Sequence, residues 1–276
     1  MKKRVVVLGC RGMLGHQVFA ELLSSGHAVN GTVRGTRSTP NVIDNVDATN
    51  FERVEQVLRE MRPHFVINCI GVVTQRPAPV TDYISVNALF PHRLAVAVDG
   101  LDARLIHVST DCVFSGRKGS YTEADAPDAH DIYGMTKLLG EPASARTLTI
   151  RTSFVGRELQ HQTGLFEWFL AQKTCRGFTE HYFSGVPTIH LARVIRSLID
   201  ADAMLSGVYH VSGPRMSKYE LLCAIRDALQ LDTEIVPDGS VRCDRSLVGD
   251  RFDAVVGRRP PSLRELVSEL ADDLRR

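Results

Sequence analysis

The chain has 276 residues, enough for one large domain or for one with a smaller lobe, and enough to bury a substantial core without disulfide or metal staples. Hydrophobic residues make up 43% and charged residues 24%, which excludes wholesale disorder, a collagen-like rod and a coiled coil. The net charge of +1 gives no electrostatic reason to expect nucleic acid or an anionic membrane as partner, and the apolar runs are too short for a membrane span. The opening MKKRVVVLG runs straight into glycines with no cleavage-site pattern, so it reads as a strand and not as a signal peptide. Six scattered cysteines form no CxxC pair, and the ten histidines form no HxxxH or HExxH pattern. Neither a zinc site nor a disulfide framework is expected, and the cytoplasm is the expected location.

Taken in order, the elements alternate. Arg4–Leu8 is a continuous apolar run, as in a strand buried on both faces of a parallel sheet. A helix is expected over Met13–Ser24, ended by Gly26, then a strand over Ala28–Val33 and a short one at Val42–Ile43. A helix over Phe51–Met61 stops before Pro63, and Phe65–Cys69 is the next strand. Val86–Val98 reads as a helix, Leu105–Ser109 as a strand, Tyr133–Ala145 as a helix and Leu148–Arg151 as a strand. Strands alternating with helices at this spacing predict an α/β doubly wound parallel sheet of the Rossmann type. After residue 153 the pattern changes. Helices are expected at Leu165–Gln172, His190–Asp200, Lys218–Leu229 and Ser262–Leu274, with strands at Gly207–Val211 and Thr233–Val236. The expected division is a dinucleotide-binding domain over 1–153 and, over 154–276, a smaller α+β substrate lobe with segments returning to the first domain. Trp168 reads as a core residue.

The first strand ends in Gly9-Cys10-Arg11-Gly12-Met13-Leu14-Gly15, a GxxGxxG turn opening a helix. Glycine is needed where the backbone bends sharply and approaches a pyrophosphate, and where helix and strand pack closely. The helix N-terminus then offers N–H groups to the phosphates. The second strand ends in Gly31-Thr32-Val33-Arg34-Gly35-Thr36-Arg37, with no acid for a ribose 2′-hydroxyl and two arginines suited to a 2′-phosphate. The expected cofactor is NADP(H). By position, Asp47 and Ala48 after the third strand and Asn68-Cys69-Ile70-Gly71-Val72 after the fourth line the same cofactor, because ligands of such sheets sit at strand carboxyl ends.

Ser109-Thr110-Asp111 follows a strand, and Tyr133-Gly-Met-Thr-Lys137 opens a helix. Tyr133 and Lys137 share one helical face. Hydride transfer to a ketone builds charge on oxygen, and a proton must meet it. A lysine ammonium beside a tyrosine favours the phenolate and draws the phenol toward a working pKa. A Ser or Thr hydroxyl can bond the same oxygen. These residue types together predict carbonyl reduction with NADPH as hydride donor.

These motifs resemble the extended short-chain dehydrogenase/reductases, and most closely the dTDP-4-dehydrorhamnose reductase group. The central block Ser-Thr-Asp-Cys-Val-Phe-Ser-Gly (109–116), Tyr121-Thr122-Glu123, Tyr133 to Glu141, Ile150 to Ser153 and Phe183 to Thr188 carry the resemblance. It implies that Tyr133 donates the proton, Lys137 holds the nicotinamide ribose, Thr110 bonds the carbonyl oxygen and Asp111 lies near substrate. It also implies that Gly9, Arg11, Gly12, Met13, Leu14, Arg34, Asp47, Ala48, Cys69, Ile70 and Gly71 contact NADP(H). Sugar-nucleotide dehydratases of this superfamily carry Thr-Asp-Glu. Here Cys112 follows Asp111, which favours 4-keto reduction. Arg151 to Glu158 and Gly164 to Leu170 are more similar to a branch acting on UDP-linked N-acetylated 6-deoxy-hexosuloses. The implied substrate is thus a nucleotide-activated 4-keto-6-deoxy sugar, UDP- or dTDP-linked, feeding surface polysaccharide synthesis. The implied assembly is compatible with a homodimer. Arg242, Arg245 and Arg251 either hold a substrate diphosphate or form a solvated cluster. Two other readings stay open: a non-catalytic NADP-binding regulatory subunit, as the β-subunit of methionine adenosyltransferase in this same group, and an NAD-dependent epimerase or dehydratase.

Overall fold

The computed structural model describes residues 1–36, 39–160 and 162–275. The chain forms two compact units, each assembled from three stretches. Unit 1 is Met1–Ser109, Asp131–Ile150 and Ala192–Val208. Unit 2 is Thr110–His130, Arg151–Leu191 and Tyr209–Arg276.

Unit 1 is built on β1 (Arg4–Leu8), β2 (Ala28–Thr32), β3 (Val42–Ile43), β4 (Phe65–Asn68), β5 (Arg104–Val108) and β6 (Thr147–Arg151). Their order in the sheet is β6-β5-β4-β1-β2-β3, continued beyond β6 by the strand Gly207–His210. Every pairing among β1 to β6 is parallel. Strand order reverses between β1 and β4, the topological switch point at which doubly wound sheets take their ligands. The apolar runs of β1 and β4 are explained by burial on both faces. Every residue of β6 is buried too, its two threonines and Arg151 included.

Helix α1 (Gly15–Ser24) starts two residues later than its apolar pattern suggests, because Arg11 to Leu14 are turn. Helix α2 (Phe51–Met61) has the expected bounds. Asn50 caps it by accepting from the Arg53 N–H, and Arg62 ends it in the left-handed conformation, at φ 43°. Its face Phe51, Val54, Val57 and Leu58 packs with Val6, Leu8, Val66, Phe90, Leu94 and Leu105 in one core. Burying each such side chain contributes about 1.5–3 kcal/mol.

The helix expected over Val86–Val98 is longer and irregular. Helix α3 (Val80–Asp82) runs into a π-helical segment, Tyr83–Leu89, and then into α4 (Phe90–Asp99). Asn87 sits in the π segment with its side chain fully committed: Oδ1 accepts from the Val72 N–H at 2.8 Å and Nδ2 donates to the Val72 carbonyl at 2.9 Å. Helix α5 (Ile132–Leu139) ends at Gly140, well before the expected Ala145. Pro142, two residues beyond the cap, disfavours helical backbone at Glu141 and stops the helix. Gly140 itself sits at a close approach, where a Cβ would lie 1.8 Å from the Asn87 carbonyl oxygen and only glycine fits.

Unit 2 contains small sheets and helices. Met216–Ser217, His181–Phe183 and Cys243–Asp244 form a three-stranded sheet with His181–Phe183 central. Thr174–Phe178 pairs in parallel with Glu234–Asp238, and Phe154–Val155 with Val186–Pro187. Except for Glu234–Asp238, which overlaps the expected Thr233–Val236 run, these strands leave no clear alternation in sequence. Helices Leu165–Leu170, Lys218–Leu229 and Leu263–Leu274 enclose Phe166, Phe169, Phe183, Leu221, Ile225, Val267 and Leu270. The last two begin with capping boxes, Ser217 with Glu220 and Ser262 with Glu265. Trp168, read as core, is 39% exposed; the neighbouring Phe166 and Phe169 take the inward positions of that helix. No described helix is long and apolar enough to cross a membrane.

Gly140→Ala is expected to destabilise the protein by about 1–3 kcal/mol or more, since neither backbone can yield cheaply. Gly100→Ala, at negative φ with ordinary contacts of 3.6 Å, should change stability by less than about 1 kcal/mol. Paired thermal melts check the contrast.

Candidate functional site

In unit 1 the glycine turn closes on itself. Gly9 stands at φ 76°, and its carbonyl accepts from the Gly12 N–H at 3.0 Å. A Cβ on Gly15 would fall 2.1 Å from the Gly9 oxygen, so α1 packs against the end of β1 only because residue 15 is glycine. A Cβ on Gly9 would meet Ile70 at 3.0 Å, which puts the turn directly beside the residues after β4. The Arg11 Nε is buried without a partner, while Leu14 and Cys10 are buried and Met13 is half-buried. Cys10 packs over Gly31 of β2, where a Cβ would lie 2.5 Å from its sulfur.

Arg34 follows β2 and is exposed. Arg37 lies outside the described residues. Asp47 and Ala48 follow β3, where the Val46 N–H donates to the Val33 carbonyl at 2.9 Å. The Asp47 carboxylate accepts from the backbone and hydroxyl of Thr49 at 2.8 and 2.6 Å, so part of its capacity goes to its own turn. Cys69 and Ile70 are half-buried and Gly71 is exposed. The structure therefore gathers the turn, Arg34, Asp47, Ala48 and Cys69 to Gly71 at the carboxyl ends of β1 to β4. An orphaned guanidinium nitrogen on a turn whose backbone closes tightly through Gly9 and Gly15 fits a dinucleotide pyrophosphate.

The next strand end holds the lysine. Asp131 caps α5 by accepting from the Gly134 N–H at 2.8 Å, and this fixes Tyr133 in the first turn and Lys137 one turn on. Lys137 is 4% exposed, and its Nζ donates to the Val108 carbonyl at 2.7 Å. Burial pulls its pKa down to about 8, while Glu141 and Cys69 oppose the fall. Tyr133 is half-buried. Ser109, one of the two hydroxyls expected near the substrate, donates to the Glu141 carboxylate at 2.6 Å. That leaves Thr110 as the hydroxyl not held by an acid of unit 1. Glu141 and Asn87 act here without having been singled out; each works through a partner distant in sequence.

In unit 2, Thr110 is 5% exposed. Its Oγ1 accepts from the Cys112 N–H at 3.1 Å and donates to the Asp111 carboxylate at 3.2 Å. Burial raises the Asp111 pKa, and Lys218 and Arg245 pull it back. The Cys112 thiol is pushed up to about 12 by burial and by Asp111, so it stays protonated. Arg245 donates through Nε to the Phe114 carbonyl at 2.9 Å and through Nη1 to the Cys112 sulfur at 3.5 Å. Arg242 is exposed, and Arg251 covers the Tyr209 ring at 4.2 Å. Burial, with Lys218 and Arg245, holds the His181 pKa down to about 4, so its imidazole is neutral. His181 carried no local signal; strand pairing sets it beside Cys243. Among the described residues no group of His, Cys, Asp and Glu could hold a metal ion.

Residues 2–273 match the RmlD substrate binding domain family. The chain is 30% identical over 251 residues to "Methionine adenosyltransferase 2 subunit beta" of Rattus norvegicus, covering 83% of this chain and 73% of that protein. It is 32% identical over 224 residues to a protein of Haloferax volcanii named "Probable low-salt glycan biosynthesis reductase Agl14", covering 75% and 73%. Among solved structures, a hypothetical dTDP-4-dehydrorhamnose reductase from Sulfolobus tokodaii superposes with a TM-score of 0.79 at 28% identity, over 91% of this chain and 94% of that one. With a glycine cradle on a parallel sheet, a buried lysine at the end of β5 and a match over nearly its whole length, this chain belongs to the RmlD substrate binding domain family.

Proposed function

We propose that the protein reduces the 4-keto group of a nucleotide-activated 6-deoxy-hexosulose, UDP-N-acetylamino- or dTDP-linked, at the expense of NADPH. Unit 1 binds the cofactor and unit 2 the sugar nucleotide. The observation that carries the reading is the buried Lys137 ammonium, held on the Val108 carbonyl one helical turn from Tyr133. A desolvated cation in that place favours negative charge on a neighbouring phenol oxygen and so helps it release its proton.

NADPH, when bound, supplies the hydride. Gly9, Gly12 and Gly15 let the backbone approach its pyrophosphate; Arg11, Met13 and Leu14 belong to the same turn. Arg34 and Arg37 answer the 2′-phosphate. Asp47 and Ala48 flank the adenine, and Cys69, Ile70 and Gly71 line the continuation of the site. Lys137 holds the nicotinamide ribose. Tyr133 gives its hydroxyl proton to the carbonyl oxygen as charge develops there. Thr110 bonds the same oxygen, which requires its hydroxyl hydrogen to turn from Asp111 toward substrate. Asp111 and Arg245 contact the substrate. The protonated Cys112 beside Asp111 supports reduction over elimination, which needs a second acid.

A second reading, an NADP-binding subunit without turnover of its own, is favoured by the likeness to methionine adenosyltransferase 2 subunit beta. The Tyr133 and Lys137 arrangement speaks for the enzyme.

Two experiments test the proposal. Tyr133→Phe is expected to lower kcat by about 10²–10⁴-fold with NADPH affinity unchanged. Wild-type rates in that variant contradict the proton-donor role, and wild-type silence with both UDP- and dTDP-linked keto sugars favours the subunit reading. Arg34→Glu is expected to weaken NADPH binding by about tenfold or more, the worth of one charge-assisted hydrogen bond, and to leave NADH binding unchanged. Fluorescence titration reads both.

A further inference from the structure

Glu141 stands where its charge is unwelcome. Helix α5 ends at the Gly140 cap, and Glu141 follows at once, its N–H donating to the Leu138 carbonyl at 3.2 Å. A carboxylate there lies at the negative end of the helix dipole. The side chain is half-buried, so water screens it only in part. What holds it is Ser109, whose hydroxyl donates to the Glu141 Oε1 at 2.6 Å.

Ser109 is itself fixed, its N–H donating to the Ile150 carbonyl of β6 at 2.7 Å. That N–H and the Val108 carbonyl belong to one planar peptide unit. The Val108 carbonyl is the acceptor of the Lys137 ammonium, at 2.7 Å. The contacts close a ring, from Lys137 to Val108, through the peptide to Ser109, across to Glu141, and back along four residues of chain to Lys137. Every member lies in unit 1. The other groups facing the ammonium bring it no negative charge. Cys69, after β4, is a thiol that burial pushes up to about 12, so it is protonated. His107 of β5 is held neutral by burial and by Lys137 itself. Tyr133 shares the helical face of Lys137. Burial works to strip the lysine of its proton, and Glu141 leads what opposes it.

We infer that Glu141 is a positioning residue: anchored to the end of β5 through Ser109, its carboxylate keeps the Lys137 ammonium on the Val108 carbonyl, one turn from Tyr133. The inference deepens the reductase reading and rests on it for its catalytic consequence. Without the carboxylate, Lys137 becomes a neutral amine at lower pH, and the cation that favours the phenolate is lost there. Glu141 itself need touch neither substrate nor cofactor.

The test follows Lys137 directly, by NMR titration of protein carrying carbon-13 at the lysine Cε positions. Its signal is the one missing from Lys137→Met. In wild type the ammonium titrates at about 8. Glu141→Gln keeps an acceptor for Ser109 and removes the charge, so the midpoint is expected to fall by about one pH unit. Ser109→Ala keeps the charge but frees it to be screened by water, and the midpoint should fall by less. An unchanged midpoint in Glu141→Gln overturns the inference; should that variant not fold, an unchanged midpoint in Ser109→Ala does so. With a keto sugar as substrate, the gap in kcat between wild type and Glu141→Gln should widen between pH 6 and pH 8 by roughly fivefold, as the charged fraction of Lys137 diverges. A loss by the same factor at every pH marks a purely structural contact and also overturns the inference. If wild type turns over neither UDP- nor dTDP-linked keto sugars, the reductase reading fails. The midpoint in Glu141→Gln needs no substrate and still decides what Glu141 does.

Discussion

A lysine ammonium inside a parallel sheet must find an oxygen, and Lys137 finds the last carbonyl of β5, Val108, at 2.7 Å. A hydrogen bond from a charged donor in a desolvated place is among the strong ones, about 1.5–3 kcal/mol net. It ties α5 to the carboxyl end of the sheet. Tyr133 is carried with it, since one turn of helix separates the two residues. The same end of the sheet already holds the glycine turn after β1 and the residues after β4. One hydrogen bond thus brings Lys137 and Tyr133 to the end where a parallel sheet takes its ligand.

Around it the backbone is fitted so closely that side chains are excluded. Gly15 against the Gly9 oxygen and Gly140 against the Asn87 oxygen are both positions where a methyl group has no room. Asn87 links the second contact to the loop after β4 by bracketing Val72. The π-helical widening falls on this residue, in keeping with the tendency of such segments to mark functional sites.

Much of this was legible beforehand, for physical reasons that differ by element. Strands β1 and β4 are buried on both faces over most of their length, so they read as apolar runs. Helix α2 carries its own cap, its own apolar stripe and its own stop. The glycine turn and the Tyr133–Lys137 pair are local in sequence. What escaped notice depends on contacts between distant residues. Nothing near Gly140 announces that Asn87 crowds it, and nothing near Ser109 announces that Glu141 takes its hydroxyl. The two-residue strands of unit 2 are too short for any alternation to register. Trp168 was misplaced because three aromatic residues share six positions of helix and only two can face inward.

In the proposed reaction a hydride passes from NADPH to a keto carbon of a nucleotide sugar while Tyr133 supplies the proton. The most direct measurement uses NADPH deuterated at the transferable C4 position and mass analysis of the sugar product. One deuterium bound to carbon in the reduced hexose is the predicted result. Product without label, or cofactor consumed with the sugar unchanged, contradicts the account.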